Sequence, residues 1–350
     1  MRKVALLLAL LMASSLGACS IRKPIARGEG QQASRLTKVL ARGRLICGVE
    51  GRIPGFSYIG SDGNYSGLDV DTCKAVAAAL FNDPGAVDYR PLDSSERFTA
   101  LASGEVDLLA RNTTWTLSRD AAGGNGLEFA PTTFYDGQGM LVTRRSGVRR
   151  LQDLQGKSIC VETGTTTELN LADRMAQLGV TYQEVKFPNS DATYAAYEQG
   201  RCEGVSSDRS QLAARRSKMA KPEDNILLTE VLSKEPLGPV TVNNDSRWFD
   251  AVKWITFALF QAEEFGITQA NLAQQRRSAA PDIRRFLGVE GELGKQLGIA
   301  PDFAARAIAA VGNYGEIFER NVGKDSPLKL DRGLNRLYRD GGLIYSPPFR

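Results

Sequence analysis

The amino-acid sequence predicts an α/β protein built from two similar lobes. Its 350 residues are 42% hydrophobic, which is enough apolar surface for two globular units of about 100 to 200 residues each. Strand-like and helix-like segments alternate from Leu36 onward, a pattern typical of largely parallel sheets. The order strand, helix, strand, helix, strand then occurs a second time after residue 145. We therefore expect two α/β lobes.

The first lobe is predicted from five segments. RLICGVE, AVDYRPL and EVDLLARN have the short apolar runs of strands, whereas DVDTCKAVAAALF and DSSERFTALASG have the pattern of helices. Asp93 is the expected N-cap of the second helix, and Gly104 follows its last residue.

The second lobe repeats this order with KSICVETG, TYQEVKF and CEGVSSD as strands and TTTELNLADRMAQLG and SDATYAAYEQG as helices. The chain then returns to the first lobe near Gly238. This predicts a first lobe of residues 36–141 plus 240–350, a second lobe of residues 142–239, and crossings near residues 139–145 and 236–242. Two such crossings form a hinge, and a cleft between hinged lobes is a usual place for a small ligand.

The amino terminus has the features of a secretory leader. Arg2 and Lys3 precede an apolar run and small residues, which predicts a signal peptide over residues 1–18. The leader ends in LGAC, which resembles a bacterial lipobox, so Cys19 is the expected lipidation site and residues 19–35 the tether. The alternative is ordinary cleavage nearby, which would leave a soluble secreted protein. Both interpretations place the protein outside the cytoplasm.

Five cysteines are present, and lipidation of Cys19 leaves four, an even number suited to disulfides in an oxidising compartment. Of the three possible connectivities, we predict Cys47–Cys73 and Cys160–Cys202. The other two would tie one lobe to the other and restrict the closure that ligand binding requires.

Composition argues against several classes of function. The chain contains no histidine and no C-x-x-C spacing, so neither a metal nor a redox site is expected. A formal net charge of +4 lacks the concentrated basic surface that nucleic-acid binding needs. No cofactor is expected, and the only predicted membrane attachment is the lipid.

The stretch RNTTWTLSRD directly follows a predicted strand of the first lobe. This position places Asn112, Thr114 and Arg119 at a strand end facing the cleft. An arginine fork can hold a carboxylate bidentately, and threonine hydroxyls add further donors. The alternative is that the threonines only cap a short helix and that Arg119 is solvated.

ETGTTTELN occupies the equivalent position in the second lobe. Thr165 and Thr166 present hydroxyl and amide groups at a helix N-terminus, where negative charge is favoured. Asp208 ends the last strand of that lobe and could either receive an ammonium group or cap the following helix. Donors for a carboxylate and an acceptor for an ammonium group together suit an α-amino acid.

Seven motifs support this interpretation: GLDVDTCKAVAAALF, ERFTALASGEVDLLARNTTWTLSRD, FYDGQGMLV, ICVETGTTTELNLAD, KEPLGPV, AEEFGITQANL and VGNYGEIFERNVG. In order along residues 36–350, they closely resemble the substrate-binding proteins of general or polar L-amino-acid ABC transporters. The resemblance implies the type II periplasmic binding protein fold and a monomer that delivers L-amino acids to permease subunits without catalysis.

The same resemblance implies roles for individual residues. Arg119 and Thr114 would bind the ligand carboxylate, with Thr165 and Thr166 beside it, and Asp208 would bind the ammonium group. Phe56 would form an aromatic wall, unless it belongs to the core.

The sequence departs from the relatives in GVEGRIPGF, where they usually carry small neutral residues after the first strand. Here Glu50 and Arg52 lie near the expected side-chain pocket. They would either tune the choice of ligand or point to solvent.

Two other classes of function remain as alternatives. Some periplasmic dehydratases that act on cyclohexadienyl substrates, arogenate or prephenate, share the architecture. A ligand-sensing module that feeds a receptor is the third possibility.

Overall fold

Two large β-sheets and a set of surrounding helices are formed by residues 33–350, the part of the chain that this computed structural model describes. The strands are β1 (Leu45–Val49), β2 (Arg52–Ile53), β3 (Ser57–Ile59), β4 (Tyr65–Ser66), β5 (Val87–Pro91), β6 (Leu108–Leu109), β7 (Leu127–Phe129), β8 (Phe134–Thr143), β9 (Ser158–Glu162), β10 (Gln183–Phe187), β11 (Gly204–Asp208), β12 (Asn225–Leu227), β13 (Lys234–Leu237) and β14 (Val240–Val242).

The helices are α1 (Arg35–Arg42), α2 (Leu68–Phe81), α3 (Arg97–Ser103), α4 (Leu117–Asp120), α5 (Thr166–Gln177), α6 (Ser190–Glu198), α7 (Arg209–Arg216), α8 (Ser246–Glu264), α9 (Leu272–Gln275), α10 (Pro281–Phe286), α11 (Leu293–Gln296), α12 (Phe303–Val311) and α13 (Tyr314–Asn321).

The two large sheets repeat one topology. The first has the strand order β5-β1-β6-β14-β7, in which β1 is parallel to β5 and β6, and β14 is antiparallel to β6. The second has the order β10-β9-β11-β8-β12, in which β9 is parallel to β10 and β11, and β8 is antiparallel to β11. We call each sheet with its helices the first and the second lobe. The predicted α/β repeat and two-lobed fold are confirmed.

Apolar side chains on both faces of each sheet form the core. In the second lobe, Ile159 and Val161 of β9 pack on one face with α5 residues, whereas Cys160 packs on the other face with α6 residues. This alternation follows from the two-residue period of a strand. The helix α2 is buried on nearly every side, because α8, α12 and the first sheet pack around it. That burial makes the first lobe the larger hydrophobic unit.

The hinge consists of two strands, as predicted. They are antiparallel, and the first begins earlier than the sequence suggested. Residues 134–137 of β8 pair with β13, and from Gln138 onward β8 pairs with β11 in the second sheet. The first crossing therefore lies before residue 138 rather than at residues 139–145. The apolar run of β8 continues through both regions, so hydropathy alone does not mark the change of partner.

Two local features also differ from the sequence-based prediction. The strand expected over residues 105–112 is limited to Leu108–Leu109. The helix expected from Asp93 begins at Arg97, and the Asp93 carboxylate pairs with Arg52 at 2.8 Å instead of capping the helix. Gly104 ends that helix with a φ of 84°, as predicted.

Cysteine pairing agrees with the predicted connectivity. Cys47 of β1 bonds Cys73 of α2, with a Cα separation of 6.3 Å. Cys160 of β9 bonds Cys202, just before β11, with a Cα separation of 5.6 Å. Each bridge joins elements of a single lobe, so neither one restrains movement about the hinge.

The signal peptide, the lipidation site at Cys19 and most of the tether lie outside the described residues. Within residues 33–350, no helix combines the length and the apolar character needed to cross a bilayer.

The two bridges predict separate contributions to stability. Replacing both Cys160 and Cys202 by serine should lower the free energy of unfolding by about 2 to 4 kcal/mol, because the unfolded chain regains the freedom of a closed loop. Denaturant unfolding of this variant and of the corresponding Cys47/Cys73 variant measures each contribution. Detection of a peptide that links Cys47 or Cys73 to a second-lobe cysteine under non-reducing conditions would contradict the pairing.

Candidate functional site

Polar side chains cluster where the central strands of both sheets end. Glu50 follows β1, Arg111 follows β6 closely, and Glu162 and Asp208 are the last residues of β9 and β11. In the first sheet β1 lies between β5 and β6, and in the second sheet β9 lies between β10 and β11. The chain connections on the two sides of the central strand therefore run in opposite directions, which leaves a crevice at the carboxyl ends of the strands. The two crevices face each other across the hinge.

A small cavity of about 20 Å³ lies between these strand ends. It is lined by residues of both lobes: Glu50, Ile53, Ser94, Arg97, Arg111, Asn112, Thr114, Arg119, Glu162, Thr165, Thr166, Thr167, Ser207, Asp208 and Gln211. A larger groove near Arg144 and Lys221 contains none of these strand-end residues, so we place the candidate site in the interlobe cavity.

Direct contacts between the lobes surround this cavity. The Ser190 hydroxyl donates to Glu50 Oε1 at 2.7 Å, and Arg97 Nη2 donates to the carbonyl of Gly164 at 3.4 Å. Gly164 lies so close to Ser95 that an added Cβ atom would be 3.3 Å from the Ser95 Cα atom. The lobes are therefore in a closed arrangement, with the cleft shut over its polar lining.

Arg119 is held in place at the cavity wall. Its backbone N–H donates to the Thr116 hydroxyl, which caps α4, and its Nη1 donates to the carbonyl of Thr114 at 2.8 Å. The guanidinium also lies over the ring of Phe98, with Cζ 5.2 Å from the ring centroid. Only 6% of Arg119 is exposed. Burial lowers its pKa to about 10, which leaves it cationic at neutral pH.

The beginning of α5 provides the second-lobe wall. Thr165 is the N-cap, since its hydroxyl accepts from the backbone N–H of Glu168 at 3.1 Å. Glu168 completes the turn by accepting from the N–H of Gly164 at 2.9 Å. With Thr165 serving as the cap, the next hydroxyl, that of Thr166, is free to lie 3.3 Å from the Thr114 hydroxyl of the first lobe.

Asp208 lies at the first position before α7, but its side chain makes no capping hydrogen bond. It is 6% exposed. Burial raises the pKa of Asp208 well above its usual range, and the nearby carboxylates of Asp136 and Glu235 add to this effect. Burial likewise raises the pKa of Asp136 to about 6. Three carboxylates thus lie near one another here, with Arg119 and Arg97 also nearby, and an added cation next to Asp208 would be favoured.

Asn112 occupies a strained turn directly after β6. Its φ of 42° is in the left-handed region that non-glycine residues seldom adopt. Its backbone N–H donates to the Asp69 carboxylate at 3.1 Å, whereas both polar atoms of its side chain are buried without a hydrogen-bond partner among the described residues. Burial raises the pKa of Asp69 to about 7. The turn therefore directs an unsatisfied amide into the cavity.

Three further residues were considered from the sequence. Glu50 lines the cavity and is 2% exposed. Arg52 is not part of the lining; it lies half-buried at the rim, where it contacts Asp93 at 2.8 Å and Asp191 at 3.4 Å. Phe56 is 1% exposed and packs edge-on against Phe134 in the core, in agreement with the core role that the sequence left open beside the aromatic wall.

Sequence reasoning missed three charged residues of the lining. Arg97 is 2% exposed, and its Nε atom has no hydrogen-bond partner among residues 33–350. Arg111 Nη2 lies 3.7 Å from Glu162 Oε1 across the cleft. Burial lowers the pKa of Arg97 and raises that of Glu162. Arg111 and Glu162 each lie at or close after the end of a buried strand, a position that could have identified them.

Comparison with known proteins identifies the family. The sequence profile of the bacterial extracellular solute-binding proteins, family 3, matches residues 45–343. The chain belongs to this family. It is therefore a solute-binding protein.

Two curated relatives are similar over nearly the whole chain. A general L-amino acid-binding periplasmic protein of Rhizobium johnstonii is 50% identical over 91% of this chain and 93% of its own length. A glutamate/glutamine/aspartate/asparagine-binding protein of Rhodobacter capsulatus is 48% identical over 91% of this chain and 94% of its own length. These family members are named as binding proteins, which supports the binding interpretation over the dehydratase alternative.

A solved structure confirms the fold. The periplasmic binding protein of an ABC transporter from Brucella ovis, with glutathione bound, is 47% identical and superposes with a TM-score of 0.88. The similarity covers 91% of this chain and all of that one. The type II periplasmic binding protein fold predicted from the sequence is thus confirmed.

Proposed function

We propose that this protein captures L-amino acids in the interlobe cavity outside the cytoplasm and delivers them to the permease of an ABC transporter. The observation that carries the proposal is the arrangement of charge in the cavity. Arg119 lies on the wall of the first lobe, and Asp208 lies at the end of the second lobe's β11 strand. An α-amino acid brings a carboxylate for the first and an ammonium group for the second.

Arg119 is the proposed anchor of the ligand carboxylate, because it is a buried cation whose orientation is fixed by Thr114 and Phe98. Asp208 is the proposed anchor of the ammonium group, because its own helix does not use its side chain and acidic neighbours surround it. Thr114, Thr165, Thr166 and Asn112 complete the proposed set around these anchors.

The names of the relatives support the chemistry. A general L-amino-acid binder, a binder of acidic amino acids and their amides, and a structure with glutathione bound share one ligand feature. Each of those ligands carries a free α-amino and α-carboxylate pair, glutathione having it on its glutamyl residue. A site that recognises this pair could serve ligands with different side chains.

We further propose that the protein is a monomer of two lobes that open and close about the hinge of β8 and β13, and that Glu50 with Arg52 influences the choice of ligand. Glu50 faces the cavity, and Arg52 lies 3.5 Å from its carboxylate at the rim. We place the boundary between the lobes where residues 134–137 of β8 pair with residues 234–237 of β13.

Substitution of the anchors should weaken binding of every amino acid. Arg119→Ala leaves the buried carboxylate of the ligand without its partner. Binding of every ligand should therefore weaken by roughly 2 to 5 kcal/mol. Asp208→Ala should act similarly at the ammonium group, whereas Glu50→Ala or Arg52→Ala should alter the order of preference. Calorimetric titration with glutamate, glutamine, alanine and arginine measures these effects.

Arg150→Ala is the matched control, because that arginine is exposed and, within the part of the chain that the structure describes, forms an ion pair with Asp153 alone. It should bind as the wild type does. Wild-type affinity of Arg119→Ala for any of the four amino acids would refute the assignment of the carboxylate anchor. Absence of binding by the wild-type protein to any amino acid would refute the proposed function itself.

Ligand binding should release protons. The empty site holds Asp208 with a raised pKa beside Asp136, whose pKa is about 6. A bound ammonium group stabilises the ionised carboxylates, so affinity should rise with pH until these groups are already ionised, and should fall as the pH drops through about 6. Titration in buffers of different ionisation enthalpy detects the released protons. A flat affinity between about pH 5 and 8 in both the wild type and Asp208→Asn would contradict this linkage.

We propose that Cys19 carries lipid and anchors the periplasmic protein to a bacterial membrane. The sequence LGAC, with leucine, glycine and alanine before the cysteine, supports this proposal. Protein purified from a bacterial host should have a mature mass that begins at Cys19 with a diacyl or triacyl increment. Intact mass spectrometry that finds an unmodified terminus at another residue would rule the anchor out.

A further inference from the structure

Glu235 is a fully buried carboxylate on the hinge that the proposed ligand contacts do not involve. It lies on β13, directly opposite Asp136 of β8 in the antiparallel register, and is 0% exposed. It is absent from the cavity lining. An ionised group in such a position requires several hydrogen bonds to offset the loss of water.

Both oxygens of Glu235 accept hydrogen bonds from uncharged donors. Oε2 accepts from the Thr114 hydroxyl at 2.6 Å and from the Thr166 hydroxyl at 2.9 Å. Oε1 accepts from Asn170 Nδ2 at 2.9 Å and from the hydroxyl of Ser233. Hydrogen bonds to a charged acceptor are stronger than those between neutral groups.

These donors come from three separate parts of the molecule. Thr114 follows β6 in the first lobe, Thr166 and Asn170 lie on α5 of the second lobe, and Ser233 precedes β13 in the same segment as Glu235 itself. A single oxygen, Oε2, thus accepts from one hydroxyl of each lobe. Both bonds can exist at once only while the lobes are closed.

The bonds also determine how the two hydroxyls are presented. A threonine hydroxyl has one proton, and Thr114 and Thr166 both lie within hydrogen-bond distance of the same carboxylate oxygen. Each therefore donates to Glu235 and presents its lone pairs elsewhere. In this orientation the hydroxyls would accept from a ligand ammonium group, and they have no proton left for the ligand carboxylate that the sequence had assigned to Thr114.

We propose that Glu235 is a positioning residue that joins the two lobes in the closed state and orients Thr114 and Thr166 at the cavity. It acts on every ligand alike, because it touches the lobes rather than a ligand side chain. The part of this inference that concerns affinity rests on the proposed amino-acid function, whereas the part that concerns closure does not.

The structure offers a matched pair of substitutions. Asn170 and Ser233 both donate to Oε1 of Glu235, but only Asn170 connects that oxygen to a helix of the second lobe. Neither residue lines the cavity. Asn170→Ala should therefore weaken closure, whereas Ser233→Ala should leave it near the wild-type level. Glu235→Gln removes the charge but keeps one acceptor oxygen.

The test measures closure and affinity separately. Small-angle X-ray scattering of ligand-free protein should give a larger radius of gyration for Glu235→Gln and Asn170→Ala than for the wild type and Ser233→Ala. Calorimetry with glutamate, glutamine, alanine and arginine should show affinity lowered by a common factor of about ten to a hundred in the first two variants. Combining those two substitutions should lower affinity no further than the stronger one alone, because they remove the same interaction.

A second readout separates positioning from general destabilisation. Glu235 lies with Asp136 of β8, Asp208 of β11 and Arg119 of α4, so removal of its charge should move the pH dependence of binding to lower pH. Asn170→Ala retains the charge and should leave that profile in place. Equal scattering and equal affinity of Glu235→Gln, Asn170→Ala and the wild type would overturn the inference. If no amino acid binds the wild type, the proposed function fails, and the scattering comparison still decides whether Glu235 joins the lobes.

Discussion

Burial of charge between the lobes is the constraint on which the closed structure depends. Arg97, Arg111 and Arg119 from the first lobe face Glu162 and Asp208 from the second, and each of these residues is less than a tenth exposed. The closest ion pair among them is long, 3.7 Å from Arg111 to Glu162. Desolvation of an ion costs several kcal/mol unless good partners replace water. A ligand that carries both charges gives these buried groups partners and so favours closure.

The repeated topology explains how one chain brings these charges together. Each sheet has its first strand in the middle, flanked by the second and third, so each has a crevice at the carboxyl ends of adjacent strands. The hinge turns the two crevices toward each other. Because each disulfide lies within one lobe, the lobes can move as units while β8 and β13 absorb the change.

The sequence predicts local features well and contacts between distant segments poorly. Alternating apolar patterns predicted the two lobes. The threonines were singled out because they follow strands, and Arg119 because it lies in the next helix of the same stretch; their binding roles stay predictions. The sequence left two roles open for Phe56, because core packing and a ligand wall require the same apolar ring. The Glu235 contacts could not be predicted, because their donors come from residues 114, 166, 170 and 233, which only the closed fold brings together. Asp93 failed as a helix cap because Arg52, 41 residues away, holds its carboxylate.

The charged residues of the cavity lining affect how many different ligands the site would bind. Arg97 and Arg111 contribute two cations there, and Glu50 and Glu162 contribute two carboxylates. Glu50 is engaged by the Ser190 hydroxyl and by the backbone N–H of Arg52, whereas Arg97 Nε and Glu162 Oε1 have no hydrogen-bond partner among residues 33–350. A lining that offers an unsatisfied donor and an unsatisfied acceptor can meet side chains of either polarity. Discrimination by such a site is weak unless a buried group is left unpaired by the wrong ligand. On the proposed function, the two charged anchors provide affinity, and the side-chain lining grades ligands that all share the amino-acid charge pair.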